Sequence, residues 1–351
     1  MSKLLNMQAL RFIAAFIVLI YHGAGLYART NGQLDLRRFT EFGFVGVDIF
    51  FVISGFIMWI TTKNKSGSTD ATGFICKRAT RVYLTLWIVL PIYLAYLWSY
   101  SPSRLLHVNI TNTFLLVPQP IKDSFLGVTW TLSYELYFYT LVALSIALGG
   151  RQMLSVVGFG AILTMILGRV GVPVPFLLVT TGAPILEFFA GCAVGGAYER
   201  GLIHHPIRWV MAGVALLVSA MIYSKFTPDY SIGDLKNLDL RVALLMPMAI
   251  CIVAGTAALD DISTPNKWLV VLGDASYGIY LWHLPVFVMW FDRVRDKQLS
   301  EWSLIATWLV AVAITLALSI LSTRFIEKPA MKMMFNGRSG LHAGRGHHST
   351  A

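Results

Sequence analysis

Charged residues are scarce in this chain: aspartate, glutamate, lysine and arginine together make up 13% of its 351 residues, whereas hydrophobic residues make up 56%. The mean hydropathy is +0.66. A soluble domain carries about 25% charged residues, because its surface must be solvated. The composition therefore excludes a soluble globular protein and predicts an integral membrane protein.

Cysteine is also scarce, and its three residues show no CxxC spacing: Cys76, Cys192 and Cys251. This usage indicates neither a disulfide framework nor a metal site, and we expect no bound metal. The formal net charge is +10, but the basic residues are spread along the flanks of apolar segments. That distribution argues against nucleic acid binding and favours anionic headgroups or an anionic cofactor as counterparts.

Long apolar runs are abundant. A membrane-spanning helix needs about 20 mostly apolar residues, and ten segments are candidates: Leu10–Tyr27, Phe42–Ile60, Val82–Trp98, Thr129–Leu148, Leu154–Leu167, Leu177–Tyr198, Trp209–Tyr223, Val242–Leu259, Leu269–Trp290 and Ser303–Leu321. We therefore predict an all-α integral membrane protein with about ten transmembrane helices, formed by residues 1–335. Residues 336–351 are too polar and glycine-rich to pack, and we expect a disordered cytoplasmic tail there.

The orientation in the membrane follows from the basic residues. An even number of spans places both termini on the same side, and lysine and arginine accumulate in cytoplasmic loops. The strongest basic cluster lies in one short loop between the second and third spans and contains Lys63, Lys65, Lys77, Arg78 and Arg81. This cluster predicts that both termini face the cytoplasm.

Two polar residues stand inside the first span, at Arg11 and His22. A cationic side chain at the bilayer centre costs at least about 2.5–3.5 kcal/mol, so an intramembrane ionisable residue is a candidate for function. Eleven positions return nearly to the same helix face, about 16 Å further along the axis. The alternative is structural: Arg11 could reach lipid phosphate while His22 binds a neighbouring carbonyl.

The second span contains Asp48 in an otherwise apolar sequence. An unpaired carboxylate there is costly, so we expect a cationic or hydrogen-bonding partner, and His22 in the first span is the predicted one. Gly43, Gly46 and Gly55 leave parts of this helix flat. Such flat surfaces allow the close approach of another helix or of a thin ligand.

The loop after the second span ends in Lys77-Arg-Ala-Thr-Arg81. Arg78 and Arg81 share a helix face because they are three positions apart. Guanidinium groups bind phosphate in bidentate fashion, so the pair suits a phosphorylated ligand. An anchor to lipid headgroups is the alternative, and on these residues alone it is the better supported of the two.

The fourth span begins with a polar and aromatic stretch, Trp130-Thr-Leu-Ser-Tyr-Glu-Leu-Tyr-Phe-Tyr139, which follows a long connection at 101–128. Trp130 and Ser133 lie on one side of the helix, and Glu135 and Tyr139 on another. Aromatic residues at a span's end are typical of an interfacial belt, but a belt does not explain Glu135. We predict that these four residues contact a sugar, and that the long connection inserts partly and shapes an entrance.

The ninth span carries a polar stripe. Ser276, Tyr280 and His283 align on one helix face at positions i, i+4 and i+7. Tyr280 and His283 are therefore candidates for a second wall of the substrate site. A hydrogen-bonded packing seam between helices explains the stripe equally well.

Six motifs in order carry a resemblance to a known family: Gln8-Ala-Leu-Arg11 with Tyr21-His22, Gly46 to Trp59, Arg78-Ala-Thr-Arg81, Trp130 to Glu135, Leu186 to Gly191, and Gly273 to His283. Over roughly residues 8–329 the chain resembles the bacterial membrane acyltransferase-3 family, and within it the rhizobial exopolysaccharide O-acetyltransferases of the ExoZ type. Each motif alone is weak, whereas six in order within a ten-span pattern are specific. Tyr83-Leu84 stands where many members of the family have a proline shortly after the second arginine.

The resemblance implies an acetyl-CoA-dependent O-acetyltransferase of the bacterial inner membrane. Its acceptor would be a sugar hydroxyl of a polysaccharide or of a lipid-linked oligosaccharide, and a homo-oligomer is left open. His22 matches the family's essential histidine and Arg11 its arginine partner, while Arg78 and Arg81, with Lys77 beside them, match its cytoplasmic arginine pair. The resemblance therefore raises phosphate binding above the anchor.

The chemistry of acetyl transfer assigns roles to these residues. Transfer from a thioester to an alcohol needs a base and donors for the oxyanion. His22 is the predicted general base, because an imidazole is largely neutral near pH 7. Asp48 could hold the imidazole tautomer, and Arg11 is an electrostatic or cofactor contact. An acetyl-histidine intermediate remains an alternative to direct transfer, and a transporter or flippase with an intramembrane His, Asp and Glu relay is the competing function.

Overall fold

The structure, a computed structural model, describes residues 4–30, 32, 35–36, 40–171, 177–180, 182–227 and 237–336. This part of the chain is helical and contains no strand. Its α-helices are α1 Leu5–Tyr27, α2 Val45–Thr61, α3 Ser68–Tyr100, α4 Ile110–Leu115, α5 Thr129–Leu148, α6 Leu154–Arg169, α7 Leu177–Thr180, α8 Pro184–Glu199, α9 Pro206–Phe226, α10 Leu238–Leu259, α11 Lys267–Asp274, α12 Ser276–Val294, α13 Glu301–Ser322 and α14 Lys328–Asn336. The predicted all-α membrane fold is confirmed, while the predicted tail at 336–351 falls almost entirely outside the described residues.

Seven helical stretches of the described chain are long and apolar enough to cross a membrane. They are α1, α3, α5, α9 and α10, the run Arg151–Arg169 that includes α6, and the run Glu301–Phe335 that begins with α13. The three other predicted spans coincide with α2, α8 and α12. Twelve of the 17 residues of α2 are buried inside the bundle. The protein is therefore a multi-pass membrane protein, and the number of ten spans remains a prediction.

Consecutive long helices run in alternating directions, so the bundle has two faces. We call the face at which α1 begins the N-terminal face. Polar contacts between helix ends define it: the Asn6 amide donates to Asp260, Arg151 pairs with Glu199, and Lys328 pairs with Asp274. The opposite face is defined in the same way by Tyr27 with Glu301, Arg104 with Asp292, and Arg169 with Asp239. Since α1 begins and α13 ends at one face, both ends of the bundle lie on the same side.

Glycines bring α2 into backbone contact with its neighbours. A Cβ atom on Gly46 would overlap the Ala14 carbonyl oxygen of α1, and one on Gly55 would overlap the Phe188 carbonyl oxygen of α8. Gly191 of α8 faces α2 in the same manner. The flat surface predicted for the second span is therefore used by other helices.

The long connection between α3 and α5 runs back along α3 instead of crossing over its end. The Tyr83 hydroxyl donates to the Leu115 carbonyl at 2.8 Å, and Trp87 Nε1 donates to the Phe114 carbonyl at 3.0 Å. Tyr83 lies 17 residues, or about 25 Å, before the end of α3 at Tyr100. The connection thus reaches the middle of the bundle, as the prediction of a partly inserted segment requires.

Candidate active site

A cavity that combines charged and apolar side chains opens between α1, α2, α3, α5 and α12 in the half of the bundle near the N-terminal face. Counting its open mouth, it contains about 830 Å³ of space that no atom fills. Its polar lining includes six residues predicted from the sequence: Arg11, Arg78, Arg81, Glu135, Tyr139 and Tyr280. We call it the arginine cavity. It unites residues that were assigned separately to the cofactor and to the substrate.

Helical spacing explains how these side chains meet. Arg78 and Arg81 are three residues apart on α3, and Glu135 and Tyr139 are four residues apart on α5, so each pair shares one helix face. The Tyr139 hydroxyl donates a hydrogen bond to the Glu135 carboxylate. The guanidinium of Arg78 lies 5.7 Å from the ring centre of Tyr139, which joins the two helices.

The cavity has more positive than negative charge. Arg11 donates to the Gln8 side chain at 3.1 Å, and Arg78 has a long contact of 3.5 Å to Thr61 Oγ1. Among the described residues, no carboxylate lies within ion-pair distance of Arg11, Arg78 or Arg81. Three arginines therefore face one carboxylate, that of Glu135. Such a surplus of guanidinium groups suits an anionic ligand.

The third predicted cofactor residue of the basic loop, Lys77, does not line the cavity, and its side chain is exposed. Lys65 takes the position nearer to the arginines. Its Nζ lies 5.6 Å from the ring centre of Phe74, the ring that Arg78 also contacts at 5.7 Å. Burial lowers the pKa of Lys65; Asp70 opposes that effect, while Arg78 and Lys77 add to it. The sequence placed Lys65 in the basic cluster of this loop but did not predict its position beside Arg78, because a loop has no periodicity that indicates the direction of a side chain.

Tyr280 has both of the roles left open for the ninth span. It lines the arginine cavity, and its hydroxyl lies 2.8 Å from Thr131 Oγ1 and donates to the Val128 carbonyl at 3.2 Å. These contacts fasten α12 to the start of α5. One turn before it on α12, Tyr277 donates to the Val82 carbonyl of α3 at 2.7 Å.

His22 lines a second cavity, which we call the histidine cavity, near the opposite face. Its described lining includes Tyr21 of α1 and Arg29, two residues after the end of that helix. Phe44, Lys225 and Leu284 of other segments complete this part of the lining, and the open space is about 1570 Å³. Arg11 does not take part in it. The predicted partnership of Arg11 with His22 is therefore not seen, because eleven residues separate the two side chains by about 16 Å along α1.

A second histidine lies beside His22. The ring centres of His22 and His283 are 5.1 Å apart, and the Tyr280 ring is 5.8 Å from that of His283. His283 is fully buried, and its Nδ1 lies 3.2 Å from the Ile279 carbonyl oxygen. The prediction placed His283 among the substrate-binding residues, whereas the structure places it against the proposed base.

Asp48 does not have the partner that the sequence predicted. Its carboxylate binds the Arg241 guanidinium through Nη2 at 2.7 Å and through Nε at 2.9 Å. Arg241 Nη2 also donates to the Phe44 carbonyl at 3.0 Å, and both members of the ion pair are about 97% or more buried. The predicted pairing of Asp48 with His22 is therefore wrong in this structure. Arg241, just inside the start of α10, was missed, although a buried carboxylate demands such a cation.

Trp130 and Ser133 face away from the arginine cavity. Ser133 Oγ donates to the Leu116 carbonyl at 3.0 Å, and both side chains line a small cleft against the inserted connection. The Trp130 ring packs on Phe51 and Tyr134, with ring centres 6.2 and 5.8 Å apart. The four predicted sugar contacts of α5 therefore divide into two sets, and only Glu135 and Tyr139 lie in the arginine cavity.

Known proteins resemble this chain along most of its length. The exopolysaccharide production protein ExoZ of Rhizobium meliloti is 30% identical over 69% of the chain and 75% of its own length. Nodulation protein 10 of Rhizobium leguminosarum is 27% identical over 93% of each chain. The peptidoglycan O-acetyltransferase OatA of Listeria monocytogenes is 24% identical over 94% of the chain, which spans about half (56%) of that longer relative. No solved structure matches.

A family profile covers nearly the whole bundle. The acyltransferase domain family matches residues 4–324, a range that runs from the residue before α1 into the helical turn after α13. Both cavities, the histidine pair and the buried ion pair lie within that range. The chain therefore belongs to this acyltransferase family, as a multi-pass membrane member.

Proposed function

We propose that the protein is a membrane O-acetyltransferase that moves an acetyl group from acetyl-CoA to a sugar hydroxyl. The acceptor would be an exopolysaccharide or its lipid-linked repeat unit, and the location the bacterial inner membrane. Membership of the acyltransferase family supports the reaction class. The names of two relatives, which refer to exopolysaccharide production and to peptidoglycan O-acetylation, support a polysaccharide acceptor.

The lining of the arginine cavity supports acetyl-CoA as the donor. Acetyl-CoA carries several phosphate charges on its nucleotide end and a thioester at the end of a long neutral arm. Arg78 and Arg81, with Arg11 deeper on α1, would bind the phosphates, because guanidinium forks match phosphate oxygens. The cavity continues between apolar and aromatic side chains of α2 to Tyr280, which suits the neutral arm.

The acceptor would enter from the opposite face, through the histidine cavity. His22 lines that cavity, while the arginines line the other one. The observation that carries the proposal is the position of the two histidine rings between these cavities, in contact with Tyr280 on the side of the arginines. A thioester that reaches Tyr280 and a hydroxyl that reaches His22 would meet at this pair.

The residues supply the parts that acyl transfer needs. His22 would take the proton of the sugar hydroxyl as its oxygen attacks the thioester carbon. The carbon–sulfur bond then breaks, and the departing thiolate receives the proton that His22 holds. To stabilise the oxyanion of the tetrahedral intermediate, the Tyr280 hydroxyl next to the histidine pair would exchange its hydrogen bond to the Val128 carbonyl for one to that oxygen.

The test uses purified protein in lipid nanodiscs, with radiolabelled acetyl-CoA and an oligosaccharide acceptor. We expect acetyl transfer by the wild type and a loss of at least about 100-fold in His22→Ala, the low end of what a general base contributes. The His22→Ala variant should still bind CoA, because the arginine cavity is intact. Undiminished transfer by this variant would remove His22 from the mechanism, and solute flux across vesicles without CoA would favour a transporter.

A further inference from the structure

The barrier between the two cavities is thin on α12. Tyr280 lines the arginine cavity, and Leu284 lines the histidine cavity. These two residues are one helical turn apart, about 6 Å along the axis. His283 lies between them and is fully buried. The only part of α12 that separates the two cavities is thus the turn that carries His283.

The hydrogen bonding of the His283 ring determines its tautomer. Nδ1 lies 3.2 Å from the Ile279 carbonyl oxygen, and a carbonyl only accepts, so Nδ1 carries the hydrogen. In the neutral ring Nε2 then carries a lone pair. This buried Nε2 has no hydrogen-bond partner among the described residues. Leaving a buried acceptor without a donor is unfavourable, because its contact with water is lost and not replaced.

Few groups near His283 can supply the missing donor. The Tyr280 hydroxyl already has Thr131 Oγ1 at 2.8 Å and the Val128 carbonyl at 3.2 Å. The His22 ring, with its centre 5.1 Å from that of His283, is the closer of the two neighbouring rings. Asp48, the residue first expected to orient His22, is bound to Arg241.

We propose that His283 is a positioning residue whose Nε2 accepts a hydrogen bond from one ring nitrogen of His22. The lone pair of the other His22 nitrogen then faces the histidine cavity, where an acceptor hydroxyl would arrive. The consequence of this inference rests on the proposed function, whereas its geometry rests on the 5.1 Å separation of the two ring centres and on the unpartnered Nε2, so a turn of the His22 ring is needed to form the bond. The inference assigns to a neutral histidine the role that a carboxylate has in Ser-His-Asp triads.

A neutral partner changes the chemistry in a measurable way. When His22 takes the hydroxyl proton, it becomes an imidazolium that still donates to His283 Nε2. A neutral acceptor stabilises this cation less than a carboxylate does. His22 therefore remains neutral, and active as a base, at a lower pH than it would beside a carboxylate.

Three substitutions separate a positioning role from a packing role. His283→Leu removes the acceptor at similar size, and we expect kcat to fall about 100-fold, within the range of general-base catalysis, with an unchanged KM for acetyl-CoA. His283→Gln keeps an acceptor oxygen and should stay within about 10-fold of the wild type. Ser276→Ala is the matched control, because it also removes a buried, unpartnered polar atom from α12; its activity should be unchanged.

The pH profile gives a readout that packing would not move. His283→Glu places a carboxylate beside His22 and should shift the acidic limb of the kcat profile to higher pH, since an adjacent anion favours the imidazolium. The charged groups facing His22 in its cavity are Arg29, Glu41 and Lys225, with the phenol of Tyr21 and, from α12, the His283 ring. All except position 283 are common to every variant, so they cannot cause a difference between variants.

A measurement without substrate keeps the inference separate from the proposed function. In ¹⁵N spectra of histidine-labelled protein, the Nε2 signal of His283 should show a hydrogen-bonded acceptor, and His22→Ala should remove that bond. An unchanged His283 signal would overturn the inference, as would a His283→Leu variant with wild-type kcat, or a folded His283→Gln variant as inactive as His283→Leu. Absence of acetyl transfer by the wild type would instead overturn the proposed function, and the spectra would still decide whether the pair exists.

Discussion

Two regions of the bundle contain arginine and carboxylate side chains and use them differently. Arg241 and Asp48 form a closed pair, both about 97% or more buried, with atoms 2.7 Å apart. In the arginine cavity, Arg11, Arg78 and Arg81 line an open space with Glu135, whose carboxylate binds Tyr139 instead. In the first region Arg241 and Asp48 neutralise each other, while the second region leaves its cations available.

The difference shows how to separate structural from functional charges in a membrane protein. A buried arginine whose Nε and Nη2 donors bind a carboxylate and a backbone carbonyl, as those of Arg241 do, has its charge neutralised and its side chain held in place. Arg78 contacts the rings of Phe74 and Tyr139 and makes a long contact to Thr61 Oγ1, and no carboxylate of the described residues pairs with it, so its fork is retained for a ligand. Pairing, more than residue type or depth, therefore distinguishes the two regions and favours the arginine cavity as the binding site that we propose.

Breaking the closed pair should have the largest effect. Asp48→Ala or Arg241→Met leaves one buried charge uncompensated, which costs about 3–5 kcal/mol, and we expect a large loss of thermal stability in detergent. The double variant Asp48→Leu with Arg241→Met should recover much of that loss, because it removes both charges of the pair together. Circular dichroism melting curves measure the thermal stability of each variant. Single variants that melt like the wild type would mean that the pair does not stabilise the bundle.

Removing a cation from the open region should affect binding and leave folding unchanged. Arg78→Ala deletes charge-assisted hydrogen bonds worth about 1.5–3 kcal/mol, so the Kd for CoA should rise roughly 10- to 150-fold. The melting temperature should not change. Lys77→Ala is the control, since Lys77 is exposed outside the cavity. Equal effects of the two substitutions in calorimetric titration would contradict the distinction between them.

The helix contact behind the closed pair can be tested without touching a charge. A side chain at Gly191 would overlap the Val52 carbonyl oxygen of α2, and overpacking of this kind costs about 1–3 kcal/mol. Gly191→Ala should therefore lower the melting temperature. At Gly160 of α6, where a Cβ would meet no atom within 4 Å, the same substitution should be tolerated, and a matching loss there would exclude close packing as the cause.

Lys65 should give the smallest effect. It lies at the rim of the arginine cluster, so Lys65→Met should raise the Kd for CoA by only a few-fold at low ionic strength, and high salt should abolish the difference through screening. Because burial lowers the pKa of Lys65, its ammonium loses its charge at a lower pH than an ordinary lysine. The contribution of Lys65 to CoA binding should therefore be lost at a lower pH than that of an ordinary lysine. A contribution of Lys65 that persists far above pH 10 would contradict the lowered pKa.

Several parts of the site could be predicted because they depend on helix periodicity. Arg78 with Arg81, and Glu135 with Tyr139, share faces that follow from spacing alone, and both pairs line one cavity. Tyr280 was likewise expected on an inward face of its helix. Where spacing placed Trp130 and Ser133 on the other side of α5, the structure agrees, but that side faces the inserted connection.

Other parts depend on which helix packs at a given depth, and spacing contains no such information. Asp48 required a partner, and both His22 and Arg241 could have provided one. The packing of α10 against α2 brings Arg241 to Asp48, although the two residues are 193 positions apart in the chain. The contact of His22 with His283 joins α1 to α12 in the same way. The position of Lys65 beside Arg78 was not predicted, since a loop has no periodicity to indicate the direction of a side chain.

By itself, the sequence determined that this protein lies in a membrane as a helical bundle, and which residues share a face of each helix. Both follow from short-range physics, namely the transfer of apolar segments out of water and the 3.6-residue turn. Only the tertiary structure decided which cation neutralises Asp48, which cations remain unpaired around a cavity, and which ring lies beside His22. Those outcomes depend on the depth and rotation of helices that are distant in sequence, because close contact between side chains is set when the whole bundle packs.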